Sequence, residues 1–469
     1  MKARFLLAAA AFACSAFAAK AFDTYEQAVR AARAADAANK YDEAVKHFAE
    51  AESLAKNPWQ KFGAQYDSSL VLFKKDDLKG AIGILDKILA DKKYNESQKA
   101  YAMARKGSLL KWKGMDAEAT KVLQKAMKYK VKGVARQCVL NSYADLVRRA
   151  KAYDEAAKCY REALAEKKGD AYQTQTAKLG LARIAADKKQ FDKALELYLE
   201  VTQLPDLSPI LEQAAYSQII ELIYLPRKKF AEIAGLLDKL EARNSLSRDM
   251  VSLVGSSRIR MNLVQAEDLL KQKKFDEALE KIKAVEAIPT NNSWLKQKRV
   301  SSMSDIEIAR GNYLKQQKKY DEAIEAFKKA GEFKGTTDYY KYYSMLAIAE
   351  ILLAQKKLEE AKEYIDKSMV SSSPDHKSRS MYNLANYLIE KKNFDEALSV
   401  AEKAAAIEGQ NPNWKALAYG KTAEIYFRHK NDLVKADEYI RKSMAVPNAT
   451  WGKNEWLLKQ IQKKIAEQK

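Results

Sequence analysis

The chain has 469 residues, a formal net charge of +21 and 31% charged side chains. Ala, Leu, Lys and Glu dominate, whereas Gly and Pro number only 16 and 8, so good helix formers prevail and an all-α fold is expected. No stretch approaches the roughly eighteen consecutive apolar residues of a membrane helix, which excludes a membrane span.

The chain opens on a targeting pattern, expected to be a secretory signal over residues 1–21. Lys2 and Arg4 form a positive start, Phe5 to Ala13 an apolar run, and Ala16-Phe17-Ala18 or Ala19-Lys20-Ala21 a small-residue site, which places cleavage after residue 18 or 21. Cys14 offers a second route, acylation as a lipoprotein, but Ala11-Phe12-Ala13 suits that processing poorly. A periplasmic or extracellular location in a bacterium follows, and removal of Lys2 and Arg4 lowers the net charge from +21 to +19.

From residue 22 onward one pattern recurs. On a helix, Tyr41, Ala44, Phe48 and Ala51 fall on one apolar stripe, which a single hairpin cannot bury alone. The clearest copy is Lys318 to Ala330, KKYDEAIEAFKKA, with Tyr320, Ala323, Phe327 and Ala330 on the stripe. The central small residues, from Ala44 through Ala156, Ala194, Ile233, Ala278 and Ala323 to Ala436, follow one another at 37, 38, 37, 38, 39, 45, 45, 38, 36 and 39 residues. Such a period means a stacked array, so residues 22–449 are expected to form one elongated domain. Pro58, Pro205, Pro289, Pro374, Pro412 and Pro447 lie 11 to 15 residues past a marker, where one unit turns into the next. Trp59, Trp294, Trp414 and Trp451 follow turn formers at the same junctions and are expected to wedge between hairpins. Asp249 to Gln272 reads as an unusually long first helix, and residues 450–469, with Trp456, Leu457, Ile461 and Ile465 on one face, as a capping helix.

In Ile308 to Ala330, Gly311 and Leu314 of a first helix precede Tyr320, Ala323, Phe327 and Ala330 of a second. This order of aromatic and small residues resembles the tetratricopeptide repeat family, although the units here exceed that family's period of about 34 residues, so loops or helices must be extended. The resemblance covers nearly all the chain after the leader. It implies an α-solenoid, a superhelix of about eleven TPR-like hairpins with a C-terminal capping helix, whose concave face is lined by the first helices and binds protein or peptide partners. Matching positions place Arg33, Asp145, Arg183, Glu267, Asn312, Glu350 and Asn386 on that face. The Tyr339, Tyr340, Tyr342 and Tyr343 cluster cannot face wholly inward and is a candidate aromatic contact patch.

Much of the positive charge follows a structural rule. Lysine doublets such as Lys188-Lys189, Lys318-Lys319 and Lys391-Lys392 end first helices, and acidic doublets such as Asp42-Glu43 and Asp321-Glu322 open second helices, both complementing the helix macrodipole. The residual charge admits binding of anionic envelope polysaccharide as an alternative function, and Cys14 a second alternative, a lipid-anchored subunit of an envelope assembly complex. Specific nucleic-acid recognition has no module behind it. Cys138 and Cys159 lie at opposite ends of antiparallel helices and are expected to stay unpaired. His47, His376 and His429 are isolated from one another, and no phosphate loop, nucleophile elbow or Cys-His context occurs, so the protein is expected to be no enzyme and to hold no cofactor or metal.

Overall fold

The computed structural model describes residues 22–468, so the leader and Cys14 lie outside the described residues. Among these residues are 23 α-helices and no strand. One compact unit comprises residues 22–233 and 245–250, and a second comprises 234–244 and 251–468. In the first unit the hairpins are α1 (Tyr25–Ala37) with α2 (Tyr41–Leu54), α3 (Pro58–Lys74) with α4 (Leu78–Ala90), α5 (Glu96–Trp112) with α6 (Asp116–Met127), α7 (Val134–Arg149) with α8 (Tyr153–Leu164), and α9 (Ala171–Asp187) with α10 (Phe191–Thr202). Then comes α11 (Pro209–Gln218), continued by a π-helical segment, Ile219–Tyr224. Next in sequence, α12 (Phe230–Glu241) and α13 (Arg248–Lys271) each contribute residues to both units. The second unit continues with α14 (Phe275–Lys283), α15 (Ser293–Gln316), α16 (Tyr320–Glu332), α17 (Asp338–Ala354), α18 (Leu358–Ser368), α19 (Pro374–Glu390) and α20 (Phe394–Ala405). It closes with α21 (Pro412–Ile425), which runs into a π-helical segment, Tyr426–Lys430, then α22 (Leu433–Ala445) and α23 (Glu455–Glu467).

The turns inside the hairpins explain the period. Asn39, Asp76, Gly114, Lys151, Lys189, Lys228, Lys273, Lys318, Lys356, Lys392 and Asn431 all have positive φ, each five residues before a marker residue. The next amide then closes the helix end, as when Lys319 N donates to the Leu314 carbonyl at 3.0 Å and Asn393 N to that of Leu388 at 2.9 Å. One lysine of each doublet is therefore a left-handed cap, a role hidden from the charge pattern. The two intervals of 45 residues come from first helices of 24 residues, α13 and α15. Their seven additional residues make about two turns, so the apolar stripe returns to the same face. The two 39-residue intervals contain the π-helical segments, each of which takes up one inserted residue without breaking the helix.

Burial follows the predicted stripe. Ala44, Ala156, Ala323 and Phe327 are wholly buried, and Phe48 and Tyr160 are 2% exposed. Helices approach closely where a first helix contributes a glycine: Gly311 lies under the Phe327 ring of its own hairpin, and Gly180 under Tyr160 of the preceding hairpin. Side chains of Asn57, Asn95 and Asn292 accept from backbone amides at first-helix N-termini, and Pro58, Pro209, Pro374 and Pro412 occupy the first turn. In α23, Leu457 and Ile461 are buried and Ile465 packs against them, whereas Trp456 points outward under Arg428. The tryptophan expectation is corrected: Trp59 and Trp294 are 50% and 58% exposed, because an N-terminal-turn residue projects past the end of the neighbouring helix, and Trp451, in the bend before α23, is 48% exposed with its ring edge-on to Trp414 at 5.1 Å.

Candidate partner-binding grooves

The first helices carry polar side chains that meet across neighbouring hairpins. Arg33 on α1 donates to Asp67 on α3 at 3.1 Å, Arg148 on α7 to Asp187 on α9 at 2.5 Å, and Lys315 on α15 to Glu350 on α17 at 3.0 Å. A second row links turn lysines to acidic residues that open second helices of the preceding hairpin, as in Lys188 with Asp154 at 2.9 Å and Lys391 with Glu359 at 2.5 Å. The acidic and basic doublets thus bind one hairpin to the next as well as complementing their own turns. Most such pairs are exposed, and each is worth at most about 1 kcal/mol.

Asp145 is the exception. Its side chain is only 22% exposed; Lys111 reaches it from α5, and Arg148 donates to it at 3.0 Å. Burial pushes the Asp145 carboxyl up, but Lys111 and Arg148 outweigh it and hold the group down to about 2. An unfolded Asp titrates near 3.9, so the stabilisation is fully present above about pH 4 and is lost as pH falls toward 2. We expect Asp145→Asn to cost on the order of 1–2 kcal/mol at pH 6, with the gap to the wild type narrowing steadily below pH 4 in urea titrations. A gap independent of pH would overturn this account.

In the first unit these residues border a pocket of about 280 Å³. Arg183 lines it from α9 and Asp145 from α7, so the structure brings together these two sequence candidates. Arg105 and Asn141 line it too, and neither is among the face positions expected from the sequence. Asn141 is 5% exposed and donates to Gln173 at 2.9 Å, while its Oδ1 has no hydrogen-bond partner. The Arg105 guanidinium lies 4.6 Å from the centre of the Tyr66 ring, and its buried Nε is unpartnered. Arg183 makes no hydrogen bond or ion pair among the described residues. The reason lies in the register. Arg33 finds Asp67, but the equivalent partner positions hold Leu70 for Arg105 and Ile219 for Arg183. Asp145, the one carboxylate of the pocket, is already held by Lys111 and Arg148. Reading the residues three before each chosen position, one helical turn earlier, would have found Arg105. The Cys138 thiol also borders the pocket and burial raises it to about 12; both Cys138 and Cys159 are free.

In the second unit, Glu350 and Asn386 share a pocket of about 360 Å³ with Lys421 and Glu424. Glu350 is held there by Lys315 and by Arg379 at 2.7 Å. Asn383, which lines that pocket too, is 0% exposed with both amide atoms unpartnered. The remaining candidates stand apart: Glu267 lies 3.6 Å from Lys298, and the Asn312 amide donates to the Tyr343 hydroxyl at 3.4 Å. Of the four tyrosines, Tyr339 is 56% exposed, while the Tyr340 hydroxyl donates to Asp305 at 2.9 Å and Tyr342 and Tyr343 are half-buried. Arg379 stacks between Tyr343 and Trp414, at 5.0 and 5.6 Å. Among the described residues no group of His, Cys, Asp and Glu is arranged to hold a metal ion, and no helix is long and apolar enough to cross a membrane.

Three Tetratricopeptide repeat family models match, over residues 143–209, 308–333 and 342–408, segments that follow the hairpins from α7 to α10, α15 to α16 and α17 to α20. No curated protein matches the chain. Among solved structures, the Cut9–Hcn1 hetero-tetramer of APC/C is 12% identical, with 94% of this chain and 97% of that one covered and a TM-score of 0.28. A tetratricopeptide repeat protein from Parabacteroides merdae is 15% identical over 60% of this chain and 98% of its own, with a TM-score of 0.38. Yeast Tom70 is 13% identical over 95% and 96%, with a TM-score of 0.33.

Proposed function

The chain belongs to the tetratricopeptide repeat family, and from that premise we propose that it is an exported, non-enzymatic scaffold of the bacterial envelope, binding a protein or peptide partner along its first-helix faces. The observation that carries this reading is the first-unit pocket, where Arg105 and Arg183 lack the acidic neighbours that the register supplies to Arg33. A partner segment that offers an acidic side chain completes the row. Export rests on the Lys2, Arg4 and Phe5 to Ala13 pattern with its small-residue site.

The test places a photo-crosslinking amino acid at Thr176, which borders the pocket, or at Glu118, on a second helix, in cells expressing the full chain. A discrete protein adduct is expected from Thr176 alone. Equal labelling from Glu118, or none from either, overturns the groove reading. The mass of the exported chain is expected to begin after residue 18 or 21, and an intact leader on a cytoplasmic protein overturns export.

A further inference from the structure

The second unit holds a carboxylate that the grooves above do not use. Glu307, on α15, is 2% exposed, the least exposed carboxylate among the described residues, and its Oε2 has no hydrogen-bond partner. Arg310 stands one helical turn on, with Nε 3.5 Å from that oxygen, yet this Nε makes no hydrogen bond either. The guanidinium pairs instead with Asp276 on α14 and lies 5.8 Å from the centre of the Phe275 ring. A buried carboxylate without a donor is costly, and packing alone does not repay it. Burial accordingly pushes the Glu307 carboxyl up, against the opposing pull of Arg310 and Lys329.

Glu307 lines a pocket of about 430 Å³ between α15 and α16, far more room than one water requires. Leu314 and Ala326 contribute apolar surface to it. Asp321, Glu322 and Glu325 of α16 line it as well, and all three are exposed. They meet Lys357, Lys319 and Lys328 at 4.0, 3.5 and 2.8 Å, solvent-exposed pairs that yield readily to a competitor. Of the two cations in the lining, Arg310 is matched by Asp276, and Lys329 makes no ion pair among the described residues. Four carboxylates therefore share this pocket with one unengaged lysine, in a chain whose net charge is +21. Among the described residues no such group is arranged to hold a metal ion.

We propose that this pocket binds a guanidinium or primary ammonium group carried on an aliphatic stem, with the head at Glu307 and the stem along Leu314 and Ala326. A lysine or arginine side chain and a free polyamine share this chemistry. The cationic head supplies the donors that Glu307 lacks, and a charge-assisted hydrogen bond in a buried setting is among the stronger ones. The apolar wall gives the stem a place that a bare inorganic cation could not use. Lys329 is the internal competitor for the same carboxylate. The inference does not depend on the first-unit pocket, which lies on other helices and takes the opposite charge.

The test is methyl NMR of the full chain labelled at Ala and Leu methyls, titrated with agmatine, with spermidine, with an end-blocked Ala-Arg-Ala peptide and with the same peptide carrying uncharged citrulline for Arg. The Ala326 and Leu314 signals are expected to shift with the cationic probes, and citrulline to bind about tenfold more weakly or worse. Glu307→Gln is expected to lose about tenfold in affinity while melting at the same or a higher temperature, because the uncompensated charge is gone. Glu325→Gln, on the exposed side of α16, is expected to weaken binding a fewfold, and Lys329→Gln to tighten it. A peptide that outbinds agmatine assigns the cation to a partner's side chain, and the reverse order assigns it to a free amine; either supports the site. Equal binding of citrulline, unchanged affinity in Glu307→Gln, or no shift with any probe overturns the proposal. Lower melting of both Glu307→Gln and Lys329→Gln also overturns it, since the two residues then form a structural pair. Should Glu307→Gln not fold, unchanged affinity in both Glu325→Gln and Lys329→Gln is the overturning result.

Discussion

Phe327→Ala is expected to be among the most damaging single changes in the array, at about 3–5 kcal/mol. The ring is wholly buried, and it fills the space that Gly311 opens in the facing helix, so no neighbouring side chain is placed to collapse into the cavity. Ala323, Ala347, Ile351 and Ile365 form the same core cluster, which ties α16 to α17 and α18. A stacked array unfolds in parts, so a single midpoint in urea would blend events. Hydrogen exchange resolved by segment is the better measure: amides of α15, α16 and α17 are expected to exchange orders of magnitude faster, while those of α1 to α4 stay protected. A loss below about 1 kcal/mol in that segment would mean the ring is not the centre of its layer.

The sequence makes the apolar stripe legible because it is local: Phe48, Tyr160 and Phe327 each announce themselves within one helix, and burial follows. The interval between markers likewise reports topology, down to the 24-residue helices. Other features escape. A lysine that caps a helix in the left-handed conformation and a lysine that merely complements the dipole sit in the same doublet, so the φ of Lys318 has no separate trace. Pairing between hairpins joins residues more than thirty positions apart, which is why Asp145 reads as a free groove carboxylate although Lys111 and Arg148 hold it. Trp59 and Trp294 read as wedges because apolarity alone does not say whether a first-turn side chain overlaps its neighbour. Arg105 is hidden because a groove takes more than one residue per turn from each helix, and on α5 the register of the family pattern falls on Ser108.

Gly180→Val is the second change with a large expected effect, and two opposed terms decide its sign. Replacing a mid-helix glycine ordinarily stabilises, by up to about 1 kcal/mol for alanine and less for a β-branched residue. Here a Cβ would lie 2.2 Å from Cζ of Tyr160, a ring 2% exposed and enclosed by Ala144, Ala156 and Ala177 of the same core cluster. Relieving that overlap means pushing the ring off its rotamer or parting α8 from α9, a cost of about 3 kcal/mol or more for the larger side chain. The steric term wins, and the net loss is expected at about 2–3 kcal/mol. Gly83, on α4, separates the two contributions, since nothing lies within 4 Å of its added Cβ. Gly83→Ala is expected to gain a few tenths to about 1 kcal/mol from helix propensity alone. The decisive comparison is Gly180→Ala in the wild type and in a Tyr160→Leu background. With the ring removed, the alanine is expected to turn from destabilising to neutral or stabilising. If it destabilises equally in both, the glycine is required by the backbone and not by Tyr160, and the ring-over-glycine account of packing between these hairpins fails.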